Sequence, residues 1–479
     1  MRRRDAAAAA LLAAWLAFAV LLLFVRDWYG IETAADWWWA GIQTWQYPWY
    51  LRALVVALPV AALLAPRRLL DALHHDAART LGDVSSRSPF LLFTAALAAL
   101  WAFRQTDLRY ADSLFYAGEL VPREAFSARG LWLSYDEVFA SVTGTWGHRW
   151  LSRLLHFDPS TTYNFIGIAV TASLLALLWH WRGRRMAMLG AGAAAMFALG
   201  NWNQVMLGQV EHYGPAVALN FLFVVLAVES VRGRAPLWQP CAAFGASAAF
   251  HLQIGFYFPA LLYLLWRRFR AEPPAGRQLA VAALVLPAMF TLTSAYFFGF
   301  DLAFFFGSHA SQGKLLPFVD RSNPLLAGNI LYDSTLDPRR LAHVLCQSCF
   351  AAWPGTLALT TAAVYAPREA WRDPVVRLCA ALCVCGGAFM LLWNNELPYY
   401  MDSNLYSSAG IGITALAVAL LRNPEVEARM GAMRRRLLFA VLLSGLAWKV
   451  LVVLHHSVLS PNYAQPWVIQ KRVLYEIEF

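Results

Sequence analysis

The stretch EHYGPAVALNFLFVVLAVESVRGR, residues 211–234, decides the fold class, because an apolar run separates two different polar ends. The run from Pro215 to Val231 approaches the length of a membrane-crossing helix, which needs about 20 residues. Arg232 and Arg234 follow it, and arginines directly after a membrane helix favour the cytoplasmic side. Glu211 precedes it, and a carboxylate so close to a bilayer is costly, so this residue is a candidate for function.

The composition of the whole chain agrees with a protein built from many such runs. Of 479 residues, 59% are hydrophobic and 14% are charged, which lies outside the range of soluble domains. The apolar runs have helical length, so the sequence predicts an all-α polytopic membrane protein. The formal charge of +10 does not indicate nucleic-acid binding, because the arginines cluster in short loops where they set topology.

Apolar runs of helical length predict about thirteen membrane spans. The first run follows MRRRD and resembles a signal peptide, but it is long enough to span and no small-residue cleavage site follows it. It is therefore interpreted as a retained helix. The predicted spans lie near 6–25, 49–65, 90–103, 165–181, 186–199, 215–231, 238–250, 252–266, 279–300, 341–364, 375–393, 405–421 and 437–454.

The arginines give the orientation of these spans. With Met1 in the cytoplasm, the arginine-rich loops all fall inside, as the positive-inside rule requires; they are 67–68, 182–185, 232–234, 267–270, 368–372 and 422–436. The long segments then lie outside, namely 27–48, 105–164, 301–340 and the tail after His455. The chain is divided into an N-terminal helix pair with its cytoplasmic loop, 1–88, and a transmembrane core, 89–479, whose external loop 105–164 is expected to contain amphipathic surface helices.

Cysteines and acids do not indicate a metal site. The six cysteines lie inside apolar runs and are interpreted as small packing residues. Cys346 and Cys349 have the spacing of half a metal site, but no second ligand pair completes it. Asp136 and Glu137 are adjacent acids without the second pair that a tight divalent site would need. The cofactor is therefore undetermined, with a divalent metal as an open alternative.

Polar residues gather on the predicted outer side, whereas the inner loops contain mainly arginine, so the candidate site faces outward. Lys314 is a cation in an outer loop, which a phosphate partner would explain; the alternative is a solvated loop charge. Glu211 and the residues beside it either contact substrate or cap a helix, and His148 with Arg149 either binds a phosphate oxygen or caps a surface helix. The candidate binding residues are Glu211, His212, Tyr213, His148, Arg149, His251, His309, Lys314 and Asp402.

Short motifs follow one another along the chain in a characteristic order. They are Tyr110-Ala-Asp112-Ser-Leu-Phe-Tyr116, Gly208-Gln-Val-Glu211-His-Tyr213, Phe250-His251, Phe306-Gly-Ser-His309, and Asn395 to Leu405 with Asp402. In this order they resemble the GT-C superfamily of polytopic membrane glycosyltransferases, of the bacterial type that depends on polyprenyl-phosphate sugars. The resemblance covers most of the chain in layout and is carried by these motifs.

The resemblance implies an all-helical core whose first large external loop supplies the catalytic acid. Asp112 best matches that position, because its Asp-Ser-Leu-Phe-Tyr run is similar to the Asp-Glu-x-x-Tyr pattern of the family. Ala111 and Ser113 depart from the pattern, which leaves Asp107 as an alternative, and Glu137 is a second carboxylate. The loop also follows the third predicted span rather than the first, which implies an added N-terminal helix pair.

The expected function is inverting transfer of a sugar from a polyprenyl-phosphate donor to a glycan, lipid or protein acceptor, outside a bacterial inner membrane. The acceptor hydroxyl must lose a proton as it attacks, and a positioned carboxylate contributes roughly 10²–10⁴-fold to such a step. One rival is a transporter or flippase of lipid-linked sugars, which would need polar residues midway through the bilayer. Asn220, Glu229 and Lys449 are the main polar residues within the apolar runs. The other rival is a non-catalytic membrane protein, which would not need acids and cations on one face.

Overall fold

The computed structural model describes residues 2–29, 48–66, 68–69, 71–72, 89–104, 138–182, 196–200, 202, 206, 213–271, 281, 338–393 and 406–454. About 89% of the structure is helical and no strand is present in this part, which confirms the all-α class there. The helices are α1 (Arg2–Tyr29), α2 (Trp49–Leu64), α3 (Pro89–Ala102), α4 (Val138–Leu155), α5 (Pro159–Arg182), α6 (Tyr213–Val231), α7 (Trp238–Phe250), α8 (Phe258–Ala271), α9 (Pro338–Ala351), α10 (Trp353–Tyr365), α11 (Pro374–Leu392), α12 (Ser407–Leu421), α13 (Pro424–Met430) and α14 (Ala432–Leu454), with 3-10 turns at Leu252–Tyr257 and Ala370–Arg372.

Several of these helices are suited to a membrane. Among the described residues, four segments are long and apolar enough to cross one, and they are Arg4–Leu21, Pro159–Leu178, Tyr213–Val231 and Pro374–Leu392. Shorter apolar helices cover Trp49–Leu64, Phe93–Ala102 and Ser407–Leu421. Together they indicate a membrane-embedded protein. The total of about thirteen spans stays a prediction, and the runs near 186–199 and 279–300 lie mostly outside the described residues.

Two runs that were predicted as single spans are divided in the structure. The run near 252–266 begins with the 3-10 turn Leu252–Tyr257, because His251 is extended and its side chain caps that turn. The run near 341–364 is divided between α9 and α10 at Ala352, whose φ of −124° and ψ of 36° are not helical. Pro354 in the first turn of α10 explains this break, since proline removes a helical hydrogen bond and clashes with the preceding turn.

Three of the described helices begin with the same pair of residues, an Asx side chain followed by proline. Asp158 accepts a hydrogen bond from the Thr161 N–H at 2.9 Å ahead of α5. Asp373 accepts one from the first turn of α11 at 2.7 Å, and Asn423 accepts one from the first turn of α13 at 3.1 Å. The Asx oxygen satisfies a free N–H while the proline already has a helical φ, so these dipeptides define where the helices start.

Helices α6, α7, α10, α11 and α12 pack into the main core. Two glycines bring α11 and α12 close together: a Cβ on Gly386 would lie 2.9 Å from the Cα of Ala409, and one on Gly412 would lie 2.8 Å from the carbonyl oxygen of Leu382. Small residues at such contacts are typical of membrane helix pairs. The contact sets the position of the start of α12 in the core.

The N-terminal helices α1 and α2 pack against the C-terminal half of the chain. Trp15 Nε1 in α1 donates to Thr360 Oγ1 in α10 at 2.9 Å. Ser444 Oγ in α14 accepts from Trp353 Nε1 at 2.6 Å and donates to the Val55 carbonyl oxygen in α2 at 3.1 Å. These polar contacts, two of them fully buried, tie the first two helices to α10 and α14.

The arginine-rich segments at the ends of α6, α8 and α12 lie together at one end of the bundle. The Tyr365 hydroxyl at the end of α10 donates to Asp5 Oδ1 near the N-terminus at 2.9 Å. Arg268 near the end of α8 lies beside Gly233 in the α6–α7 loop, and Arg422 after α12 interacts electrostatically with the last turns of α6. We call this the arginine end, and the opposite end, where α6 begins and α7 ends, the aromatic end. That the arginine end faces the cytoplasm stays a prediction.

Candidate functional site

Tyr213 and His251 meet at the aromatic end, and both are among the predicted binding residues. Their ring centroids are 4.9 Å apart with the planes tilted by 32°. His251 is 2% exposed, and its Nδ1 accepts the Gln253 N–H at 3.1 Å. A nitrogen that accepts a backbone N–H carries no proton, so a neutral His251 ring has its N–H donor at Nε2.

Aromatic side chains surround this pair. The Phe256 and Phe389 rings are 4.9 Å apart, and Phe389 also lies 5.3 Å from the Tyr406 ring and 5.7 Å from the Trp393 ring. Tyr213 packs against the same group. Rings from α6, the 3-10 turn, α11 and the start of α12 therefore form one aromatic cluster at this end.

Beneath the aromatic cluster lies a layer of uncharged polar side chains, Asn220, Tyr257 and Ser408, which we call the polar layer. Each is 1% exposed, and the Tyr257 hydroxyl interacts with both other side chains. However, Asn220 Oδ1 and Nδ2, Tyr257 Oη and Ser408 Oγ have no partner in hydrogen-bonding geometry within the described part of the chain. Asn220 is two helical turns from Tyr213, about 10 Å along α6.

Sequence reasoning found only one member of the polar layer. Asn220 was noted as polar within an apolar run, and its two-turn spacing from Tyr213 was the available signal that both lie on one helix face. Tyr257 and Ser408 were missed, because a tyrosine and a serine near the ends of apolar runs have no distinguishing pattern. Buried polar groups without well-formed hydrogen bonds are rare in native proteins, so the polar layer is a candidate site for bound water or a ligand.

His148 in α4 contacts the start of α5. Its Nδ1 lies 3.1 Å from Thr162 Oγ1, and that hydroxyl donates to the Asp158 carbonyl oxygen at 3.0 Å. Since the hydroxyl proton is already used, Nδ1–H donates and Nε2 is left as the acceptor of a neutral ring. Burial lowers the pKa of His148, with Asp158 acting in the opposite direction, so the neutral form is favoured.

The carboxylate of Asp158 has a structural role beside His148. Burial opposes its ionisation, but hydrogen bonds from Ser160 and Thr161 outweigh that effect and lower its pKa to about 2. Arg149 is exposed on the same helix as His148. Helix α4 packs against both α5 and α7, so it lies next to the helix that ends at His251.

Most of the predicted site residues cannot be compared with the structure, because they lie outside the described residues. They are Asp107, Asp112, Glu137, Glu211, His212, His309, Lys314 and Asp402. Their positions stay predictions, and so does the choice between Asp112 and Asp107. The described part holds no group of three or more His, Cys, Asp or Glu side chains that would bind a metal.

No family model, no curated protein and no solved structure matches this chain.

Proposed function

We propose that this protein is a GT-C-type membrane glycosyltransferase that moves a sugar from a polyprenyl-phosphate donor to an acceptor at the aromatic end, on the non-cytoplasmic side. One observation carries the proposal. Aromatic rings and uncharged hydrogen-bonding groups share a buried site at one end of an apolar bundle. A lipid-linked sugar needs this combination, because its chain is apolar while its ring has hydroxyl groups and an apolar face.

Each part of the donor has a proposed partner. The Tyr213 ring and the aromatic cluster would stack against the sugar, and the polar layer would receive its hydroxyl groups. The Nε2–H of His251 would donate to a phosphate oxygen. Arg149 and Lys314 are further phosphate partners, which would stabilise the charge on the leaving group.

The proposed reaction is an inverting displacement. An acceptor hydroxyl oxygen attacks the anomeric carbon, a new glycosidic C–O bond forms, and the bond to the phosphate oxygen breaks with its electron pair. Asp112, or alternatively Asp107, takes the hydroxyl proton as general base, and Glu137 is a second carboxylate for the acceptor. Polyprenyl phosphate leaves with the apolar chain still in the membrane.

A transporter of lipid-linked sugars is the second candidate, and one observation favours it. The polar layer lies about 10 Å inside the aromatic end, and the helices beside it are interrupted at the Leu252–Tyr257 turn and at Ala352. Interrupted helices around a buried polar site are a feature of many transporters. The same features would serve a transferase that holds its sugar below the surface.

An experiment with reconstituted vesicles distinguishes the two candidates. The purified full chain is placed in vesicles with fluorescent polyprenyl-phosphate-linked sugars and a membrane extract as the source of acceptors. Formation of labelled product and protection of the donor from an impermeant oxidant are measured together. We expect product without donor movement. Donor movement without product would support the transporter and contradict the transferase.

A further inference from the structure

A second cluster of charged groups lies at the arginine end, away from the proposed transferase site. Glu229 in α6 has a side chain that is 2% exposed, and Arg234 Nε lies 2.8 Å from its Oε2. Arg234 Nη2 donates to Oε1 at 3.1 Å, whereas the Nε contact is an ion pair outside hydrogen-bonding angles. Arg232 Nη1 is 3.9 Å from Oε1. One buried carboxylate is therefore shared by two guanidinium groups.

Two more arginines reach the same place from other helices. Arg268 of α8 has its Nη1 beside Gly233 in the α6–α7 loop, and its buried Nε has no hydrogen-bond partner in the described part of the chain. Arg422 interacts with Glu229 and Arg234 from the end of α12. We call Arg232, Arg234, Arg268 and Arg422 the basic cluster.

The basic cluster carries more positive charge than the described acids around it neutralise. Among the described residues, Glu229 and Asp373 are the acids that act on Arg232, so the four arginines exceed these two acids by two positive charges. Asp373 also accepts two N–H bonds from the first turn of α11. Burial, then repulsion from Arg434 and Arg234, lowers the pKa of Arg422. Arg434 is itself paired with Glu427.

An anion would relieve this crowding, and the surface beside the cluster favours a lipid. Leu262, Trp266 and Phe269 form an apolar stripe on α8, and their side chains are 48%, 46% and 42% exposed. The stripe runs along the helix that carries Arg268, so an acyl chain would lie against it while the phosphate reaches the arginines. Arginine binds phosphate oxygens in pairs through its planar N–H groups.

We propose that the basic cluster binds the phosphate head group of an anionic phospholipid in the leaflet at the arginine end, with one acyl chain along the α8 stripe. Free phosphate would use the arginines but not the stripe. The lipid would screen repulsion between Arg422 and Arg234 and would hold the ends of α6, α8 and α12 together. Juxtamembrane arginines next to anionic leaflets supply this kind of attraction.

The test uses the purified full chain in detergent with added phosphatidylglycerol, phosphatidylcholine or inorganic phosphate. Bound lipid is counted by native mass spectrometry, and the thermal unfolding midpoint is followed as a function of lipid concentration. Arg422→Gln is expected to weaken phosphatidylglycerol binding about fivefold, the amount typical for one arginine near an anionic surface. Phosphatidylcholine binding should not change.

Arg429→Gln is the matched control, because Arg429 lies in the last turn of α13, is exposed and does not belong to the basic cluster. It removes the same charge and should change phosphatidylglycerol binding less than twofold. Equal losses in both variants, or equal stabilisation of the parent by inorganic phosphate, would overturn the proposal. If Arg422→Gln does not fold, Arg422→Lys replaces it, since lysine keeps the charge and loses only the paired geometry. A loss of phosphatidylglycerol binding smaller than fivefold is then expected, and no loss relative to Arg429→Lys would overturn the proposal.

Discussion

The two ends of the bundle hold their polar groups in opposite ways. At the arginine end, the buried Glu229 is paired with Arg232 and Arg234, whose side chains are 29% and 37% exposed. At the aromatic end, Asn220 and Tyr257 are uncharged and fully buried, and their side-chain polar atoms make no well-formed hydrogen bond among the described residues. Charge at a helix end is satisfied by ion pairs and water, whereas a neutral polar group inside needs a ligand or a bound water. The arginines therefore form a charged end, and the neutral groups mark a candidate site.

The largest expected effect comes from removing the proposed base. Asp112→Asn keeps the size of the side chain, but an amide does not accept the proton of the attacking hydroxyl. Sugar transfer should fall by roughly 10²–10⁴-fold, the usual contribution of a general base, while the thermal unfolding midpoint stays the same. Transfer from polyprenyl-phosphate donors by membranes carrying each variant measures the effect.

Asp107→Asn is the control for Asp112→Asn, because it makes the same chemical change slightly earlier in the same predicted loop. If Asp107→Asn is inactive while Asp112→Asn transfers normally, the base is Asp107. Normal transfer in both variants would remove general-base catalysis from these two residues. In that case the proposed catalytic role of this loop would be lost, while the proposed lipid site at the arginine end would not be affected.

The next effect concerns the helix contact that supports the aromatic end. Gly386→Ala would bring a Cβ within 2.9 Å of the Ala409 Cα, and such overpacking lowers the free energy of unfolding by about 1–3 kcal/mol. Gly387→Ala is the matched control on the same helix, where a Cβ meets nothing within 4 Å. This change should be neutral or raise stability by up to about 1 kcal/mol, because alanine favours helix.

Urea or thermal unfolding in detergent compares the two glycine variants. A loss in Gly387→Ala as large as that in Gly386→Ala would show that α11 and α12 do not touch as the structure has them. Lipid binding at the basic cluster should survive both changes, since neither glycine lies at the arginine end. That result would separate the two ends experimentally.

The helices were the part of the fold that the sequence predicted well. The run near 238–250 coincides with α7, and the runs near 49–65 and 375–393 match α2 and α11 within a residue at each end. Hydropathy succeeds here because these helices consist almost entirely of apolar residues, which is the property that hydropathy measures. The break at His251 coincides with the boundary between the predicted runs near 238–250 and 252–266. The break at Ala352 was not predicted, because Pro354 causes it and one proline hardly changes the average hydropathy.

The candidate site was predicted only in part. Tyr213 and His251 were selected separately as polar residues outside or between apolar runs, and the structure brings their rings together. Tyr257 and Ser408 became candidates only through their neighbours, since α6, the 3-10 turn and α12 are far apart in sequence. A single sequence does not reveal which helices meet, so a site shared by three of them is visible only after folding.

A smaller effect is expected at the start of α5, near the aromatic end. Asp158→Ala removes the oxygen that accepts the Thr161 N–H, and the loss of an N-cap costs about 1 kcal/mol of stability. Asp158→Asn should retain most of it, because asparagine also caps helices. Thermal unfolding in detergent measures both variants, and equal loss in both would mean that the charge rather than the cap stabilises α5.

The pH dependence of the Asp158 contribution has a definite sign. The pKa of Asp158 is lowered from its ordinary 3.8 to about 2, so the folded protein binds this proton less readily than the unfolded chain. The contribution is therefore complete above pH 3.8 and is lost as the pH falls through about 2. Asp158→Asn should not show this loss, which a comparison of unfolding between neutral pH and acid measures.

The smallest effect on stability, and the sharpest test of the comparison, is Tyr257→Phe in the polar layer. The contacts of the Tyr257 hydroxyl with Asn220 and Ser408 lack good hydrogen-bond geometry. Replacing it removes a desolvated group without leaving a cavity, so the free energy of unfolding should stay the same or rise by up to about 1 kcal/mol. A bound donor would nevertheless lose its hydrogen bond to this hydroxyl, so the KM for the donor should rise by roughly fivefold to tenfold, the equivalent of one hydrogen bond.

Tyr365→Phe is the matched control at the arginine end, where the hydroxyl donates to Asp5. There the same change should lower stability by about 1 kcal/mol and leave the KM unchanged. A Tyr257→Phe variant that loses as much stability as Tyr365→Phe, with an unchanged KM, would mean that the polar layer satisfies itself and binds no substrate.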